Sequence, residues 1–283
     1  MLRMSKSNMI LSALLAMTLV VTGCGSGTKP AADGGTGAQA PSTNAAAQKP
    51  AETVELTISA AASMTDALKE IQKDFETKNP SIKLNFNFGA SGALQQQIEQ
   101  GAPADLFLSA AAKNMSTLVE KQLIDAKQQK KLLTNELVAV VNADGKTAVA
   151  NVSDLSKADV KHVAIGIPES VPAGSYAKEA LTNAKLWETL QSKMVQAKDV
   201  RQVLQYVETG NAEAGFVYKT DAMTSQKVKV AFAVDPKTYT AVEYPIGIVK
   251  ATKHSKEAEA FYNYLQAKQS LDIFVKYGFS VIQ

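Results

Sequence analysis

From Val54 to the C-terminus, short β-rich runs alternate with segments of helical periodicity. "VELTISA" alternates at its start, and "MTDALKEIQKDFETK" then puts Leu68, Ile71 and Phe75 on one helical face. "IKLNFNF" alternates again, "SGALQQQIEQG" reads as a short helix ending on glycine, "ADLFLSA" as a buried strand and "KNMSTLVEKQLI" as a helix. The runs "ELVAVVN", "HVAIGIP", "EAGFVY" and "VEYPIGIVK" continue the strands, and "SYAKEALTNA" and "DVRQVLQYVETG" continue the helices. "SKEAEAFYNYLQAKQSLDIFVKYG" closes the chain, and no internal repeat interrupts the series. This alternation predicts α/β layers with largely parallel sheets. About 230 residues take part, enough for one large domain or two modest lobes. Two lobes fit better, with residues 54–137 and 243–283 as lobe I and 138–242 as lobe II. "ELVAVVN" and "VEYPIGIVK" are then the two crossings between them.

The first 53 residues do not belong to that pattern. Arg3 and Lys6 precede the apolar run Met9 to Val21, which is too short for a comfortable membrane span and fits an export signal over residues 1–23. The run ends in "VTGC", which resembles the bacterial lipobox, where cleavage falls before a lipidated cysteine. Cys24 is the only cysteine in the chain, which excludes internal disulfides and multi-cysteine metal sites. Residues 24–53 are mainly small and polar and cannot bury enough surface to offset chain entropy. They read as a flexible tether whose ends lie on the order of 30 Å apart. The expectation is a domain on the extracytoplasmic face of the cell membrane, lipid-anchored through Cys24.

The chain carries 30 basic and 27 acidic side chains, and two of the basic ones, Arg3 and Lys6, lie in the leader. The near-neutral remainder has no basic field of the kind that binds nucleic acid.

In open α/β sheets, ligands bind beyond the carboxyl ends of strands. Ser63 follows "TISAAA" and opens a helix, with Asp66 three residues on at capping-box spacing. Ser91 follows "NFNFGA" and opens "GALQQQIE"; Val200, after Asp199, opens "RQVLQYVE". Ala173 lies in "ESVPAGSYAKEAL", where Pro172 and Gly174 shape a turn into a helix. Helix starts carry unpaired N–H groups and partial positive charge, so several of them converging make an anion site without lysine or arginine. Serine hydroxyls add donors, and Tyr218, at the end of "AGFVY", adds another. Taken singly, each serine reads as an ordinary N-cap and Tyr218 as a packing residue. Taken together, they point to an exported two-lobe binder of an anion or another small solute.

Catalysis is not expected. "SYAK", Ser175 to Lys178, matches the S-x-x-K of acyl-serine enzymes, but the partner motifs S-D-N and K-T-G are absent. His162 and His254 stand in the lysine-containing, loop-like contexts "VKHV" and "TKHS". Two distant histidines and one lipobox cysteine make no soft-metal site, and no cofactor is expected.

In order along the chain, "AAASMTDAL", "FGASGALQQQIEQGAPADLFLSA", "IGIPESVPAGSYAKEAL", "KDVRQVLQYVE", "AGFVYKTDA", "VEYPIGIV" and "AFYNYLQ…FVKYGF" resemble the periplasmic molybdate-binding proteins of ABC transporters. The match runs over most of residues 55–281. "GAPADLF" also occurs in related binding proteins, whereas "VPAG" with "YAKEAL" and "DVR" is much more specific. The resemblance implies a type II periplasmic-binding-protein fold, two α/β lobes joined by two hinge crossings, closing over a tetrahedral oxyanion. It implies ligand contacts from Ser63, Ser91 and Tyr218 hydroxyls and from the amides of Ala173 and Val200. The implied ligand is molybdate or tungstate, with molybdenum bound only as molybdate; another oxyanion such as sulfate, or a small organic anion, is the alternative. The implied partners are an ABC permease and its ATPase, with the receptor itself a monomer. Two departures stand out: Ala90 and Gly92 flank Ser91 where some relatives carry more serine, and Lys219 follows Tyr218 where a smaller residue is common.

Molybdate, tungstate and sulfate are fully deprotonated dianions at neutral pH and need only donors, whereas phosphate keeps a proton and wants an acceptor. None of the five implied contacts is a carboxylate, although Asp66 and Asp199 lie close in sequence.

Overall fold

The computed structural model describes residues 53–282; the expected signal peptide, Cys24 and nearly all of the tether lie outside them. The first βαβ unit runs from β1 (Val54–Ala61) through α1 (Thr65–Lys78) to β2 (Ile82–Gly89). Ala67, Leu68, Ile71 and Phe75 of α1 are buried, the face expected from their spacing. Then come α2 (Ser91–Glu99), β3 (Leu106–Leu108), α3 (Ala112–Glu120) and the long strand β4 (Ile124–Asn135). Leu56, Ile58 and Ala60 of β1 and all of β3 are buried, as strands covered by helices on both faces must be.

After Glu136 the chain enters a second sheet. It holds β5 (Leu137–Asn142), β6 (Val163–Gly166), α4 (Pro172–Asn183), the single turn α5 (Trp187–Leu190), β7 (Met194–Ala197) and α6 (Val200–Glu208). β8 (Ala214–Tyr218), the short α7 (Lys219–Met223) and β9 (Val228–Ala233) complete it. The chain returns to the first sheet as β10 (Val242–Val249) and finishes with α8 (Ser255–Gln266), α9 (Lys268–Lys276) and β11 (Ser280–Val281). The sheet orders are β11-β4-β10-β3-β1-β2 and β7-β6-β8-β5-β9, the two α/β lobes of a type II binding-protein fold.

Both sheets are mixed rather than largely parallel. β1 pairs in parallel with β2 and β3, and β6 with β7 and β8, because helical crossovers join them. β10 and β5 run antiparallel to both of their neighbours, because each enters its sheet from the opposite lobe. Pro245 lies inside β10 and has no N–H for a ladder; the register shifts between Tyr244 and Pro245 accommodate it. Close helix–strand packing in the second lobe requires glycine at 174. A Cβ there would lie 1.9 Å from the Gly166 carbonyl oxygen, so α4 rests directly on the end of β6. No helix among the described residues is long and apolar enough to cross a membrane.

Candidate functional site

Residues at or just beyond the C-terminal ends of β1, β2, β3, β6, β7 and β8 line a small cavity between the two lobes. Ser63, Ser91, Ala173, Val200 and Tyr218, the five positions implied by the resemblance, all line it. The other lining residues are small or apolar: Ala61, Ala62, Gly89, Ala90, Ala110, Val171 and Pro172. No carboxylate, lysine or arginine lines it.

Helix geometry accounts for the amides. Ala173 is the second residue of α4, after Pro172, and the first residue to bond back within the helix is Ser175, to the Val171 carbonyl. Val200 is the first residue of α6, and Val203 is the first to bond back, to the Asp199 carbonyl. The N–H groups of Ala173 and Val200 therefore have no acceptor within their own helices. Asp199 caps α6 by accepting from Gln202 N–H at 2.9 Å, which directs its carboxylate to the helix backbone.

The three hydroxyls differ in their partners. Ser91 is fully buried, and its Oγ accepts from Ala110 N–H at 2.9 Å. Ser63 Oγ lies 2.9 Å from the Tyr244 hydroxyl. Tyr218 is 1 % exposed and its hydroxyl has no hydrogen-bond partner among the described residues. Burial, with the nearby Tyr244, holds the Tyr218 phenol well above its ordinary range, so it is a donor at neutral pH.

Ser63 departs from the capping expectation. It sits in a single 3-10 turn, Ala62–Met64, ahead of α1, whose N-cap is Met64 without a side-chain cap. Asp66 reaches away instead, and its Oδ2 meets Arg201 Nη2 of the opposite lobe at 2.7 Å. Arg201 Nε also meets Asp221 Oδ1 at 2.6 Å, and Asp221 is fully buried. Burial pushes the Asp221 carboxyl up to about 6 against the pull of Arg201. Other contacts join the lobes: Gly92 N–H donates to the Ser170 carbonyl at 2.9 Å, and Tyr176 O–H donates to the Ala110 carbonyl at 3.4 Å. Sequence reasoning missed Arg201, Asp221 and Tyr244, although the first follows Val200 directly and the second lies three residues beyond Tyr218.

Ser175, Lys178, His162 and His254 do not line the cavity. Ser175 is exposed on α4, and the Lys178 ammonium lies 5.2 Å over the Trp187 ring. His162 pairs with Glu213 at the surface, with 3.8 Å between Nδ1 and the carboxylate. Among the described residues, no group of three histidine, cysteine or acidic side chains is placed to hold a metal ion.

A Bacillus subtilis protein provisionally named as the ABC transporter substrate-binding lipoprotein YvgL is 46% identical over 277 residues, 98% of this chain and 99% of that one. The Haemophilus influenzae molybdate-binding protein ModA is 39% identical over 236 residues, covering 81% of this chain and 91% of its own. A substrate-binding domain provisionally assigned to a molybdenum ABC transporter of Clostridium difficile superposes with a TM-score of 0.63 at 43% identity, covering 82% of this chain and all of that domain. A model of the family described as bacterial extracellular solute-binding protein matches residues 56–280. The chain belongs to that family of extracellular solute-binding proteins.

Proposed function

We propose that this protein captures molybdate, and tungstate with it, outside the cytoplasm and delivers it to the permease and ATPase of an ABC importer. The observation that carries this reading is the Tyr218 hydroxyl, buried without a partner among the described residues against a cavity that no charged side chain of theirs lines. A buried donor left unmet costs about 1–3 kcal/mol, and an oxyanion oxygen would meet it. Ser63, Ser91, and the amides of Ala173 and Val200 supply further donors from both lobes, so the ligand favours the state in which the lobes meet. The hinge of that motion is assigned to the two crossings, with 54–137 and 243–283 moving as one body against 138–242. The change of sheet after Glu136 and again between β9 and β10 supports this division.

The molybdate-binding relatives support the choice of anion. The lipobox-like "VTGC" and the name of the Bacillus subtilis relative support a lipid anchor at Cys24. Ser175 lies exposed on α4 and the Lys178 ammonium sits over the Trp187 ring, which favours a receptor over an enzyme.

Calorimetric titration with molybdate, tungstate, sulfate and phosphate tests the reading. Molybdate and tungstate are expected to bind tightly, with sulfate at least about a thousandfold weaker, roughly 4 kcal/mol. Binding of sulfate or another anion with no response to molybdate would keep the site and replace the ligand. Tyr218→Phe removes one donor to a charged acceptor and is expected to weaken molybdate binding roughly ten- to thirtyfold. Unchanged affinity in that variant would remove Tyr218 from the contacts.

A further inference from the structure

Behind Ser63 lies a chain of hydrogen bonds that crosses between the lobes. Tyr244 is fully buried on β10, beside the register shift at Pro245, and its hydroxyl lies 2.9 Å from Ser63 Oγ. Asn135, the last residue of β4, donates from Nδ2 to Tyr244 Oη at 3.2 Å and to Thr220 Oγ1 of α7 at 2.9 Å. Its Oδ1 accepts from Glu136 N–H at 2.9 Å. A backbone N–H can only donate, so this contact fixes which end of the Asn135 amide is oxygen. Its two amide protons are then committed to Thr220 and Tyr244.

The direction of the next bond follows. Tyr244 Oη accepts from Asn135 and still has its own proton to place. Ser63 Oγ is its only other hydrogen-bond partner among the described residues. If Ser63 donated to Tyr244, the fully buried phenol proton would have no acceptor and would bear the full cost of desolvation. The phenol therefore donates to Ser63 Oγ, and the Ser63 proton is left without an acceptor among the described residues. Ser63 lines the cavity, and so does Ser91, whose Oγ already accepts from Ala110 N–H. Each serine oxygen thus receives a proton from behind and has its own proton to give.

We propose that Tyr244, held by Asn135, is a positioning residue that orients the Ser63 hydroxyl as a donor into the cavity, and that this polarity selects oxyanions with no proton over those that keep one. This rests on the oxyanion reading of the site. A hydrogenphosphate ion needs an acceptor for its proton; the bond behind each serine oxygen turns the hydroxyl proton, not a lone pair, toward the anion. Bonds in series also polarise one another, so the phenol strengthens the serine as a donor.

A double-mutant cycle tests it. Tyr244→Phe keeps the ring that packs edge-on against Tyr218 and Phe279, at centroid distances of 5.8 and 5.2 Å. It is expected to weaken molybdate binding about tenfold in the wild-type background and to have little effect in a Ser63→Ala background. It should also narrow the ratio of molybdate to phosphate affinity, because the Ser63 hydroxyl is then free to turn and present an acceptor. Equal losses in the two backgrounds with an unchanged ratio would mean that Tyr244 only packs, and would overturn the relay while leaving the receptor intact. If the wild-type protein takes sulfate and not molybdate, the molybdate assignment fails and the same cycle read with sulfate decides the relay. If it takes neither anion, receptor and relay fall together.

Discussion

Replacing Arg201 by methionine is expected to destabilise the protein by about 3–5 kcal/mol, measured by urea unfolding near pH 8. Methionine keeps much of the aliphatic packing but leaves Asp221, which has no exposed side-chain surface, without its cation. The deficit should depend on pH in a defined direction. The Asp221 carboxyl is pushed from an ordinary value near 3.8 up to about 6, first by burial and against the attraction of Arg201. A group whose pKa is higher in the folded than in the unfolded state stabilises the fold most below the unfolded value. That contribution is lost as pH rises through the folded value. Removing Arg201 raises the folded value further, so the variant should lose most near pH 8 and least near pH 4. Asp221→Asn in the same background should recover much of the loss at pH 8 and flatten the pH dependence. A variant as stable as the wild type at pH 8 would show that the buried carboxylate does not need this partner.

Gly92→Ala is expected to leave each lobe folded and to weaken oxyanion binding on the order of a hundredfold or more. Gly92 is on α2 of the first lobe, and a Cβ there would lie 2.6 Å from the carbonyl oxygen of Ser170 and 2.9 Å from its Cα, both in the second lobe. Those are backbone atoms, so no side chain can swing aside, and the added methyl stands where the lobes must meet. The same approach carries the hydrogen bond from Gly92 N–H to Ser170 O. Held apart, the lobes could not present Ser63 and Ser91 together with Ala173, Val200 and Tyr218. Calorimetry should show the loss of affinity, and thermal unfolding without ligand should change little. Wild-type affinity in the variant would mean that the lobes bind without meeting here.

The cavity-lining positions were legible because each sits where a strand gives way to a helix, a switch written in a few adjacent residues. "AAAS", "FGAS", "VPAG" and "KDVR" each place small residues or a cap at such a switch. The residues behind them were not legible, because their roles depend on partners far away in the chain. Asp66 reads as a capping acid from its spacing to Ser63, yet it spans the cleft to Arg201. Tyr244 reads as one more apolar strand residue, and only its place in β10 brings it to Ser63. The strands β4, β7 and β9 went unread for another reason. β7 and β9 are sheet edges, and β4 exposes much of "DAKQQKK", so they lack a clean apolar pattern. The break between α8 and α9 at Ala267 likewise has no glycine or proline to announce it.

Two of the five proposed cavity donors are main-chain amides, and every protein has the same amide at every position except proline. Substituting Ala173 or Val200 changes the volume beside the anion but leaves the donor in place. Drift at these positions is therefore tolerated chemically, and the wall of the cavity becomes the adjustable part. Ala61, Ala62, Gly89, Ala90 and Ala110 form most of that wall on the first lobe. Adding or removing a single methyl group among them resizes the space while the donor set stays constant. A change of preferred anion in such a receptor then comes from the radius of the cavity, by steps of one carbon, without a new charge or a new hydrogen bond.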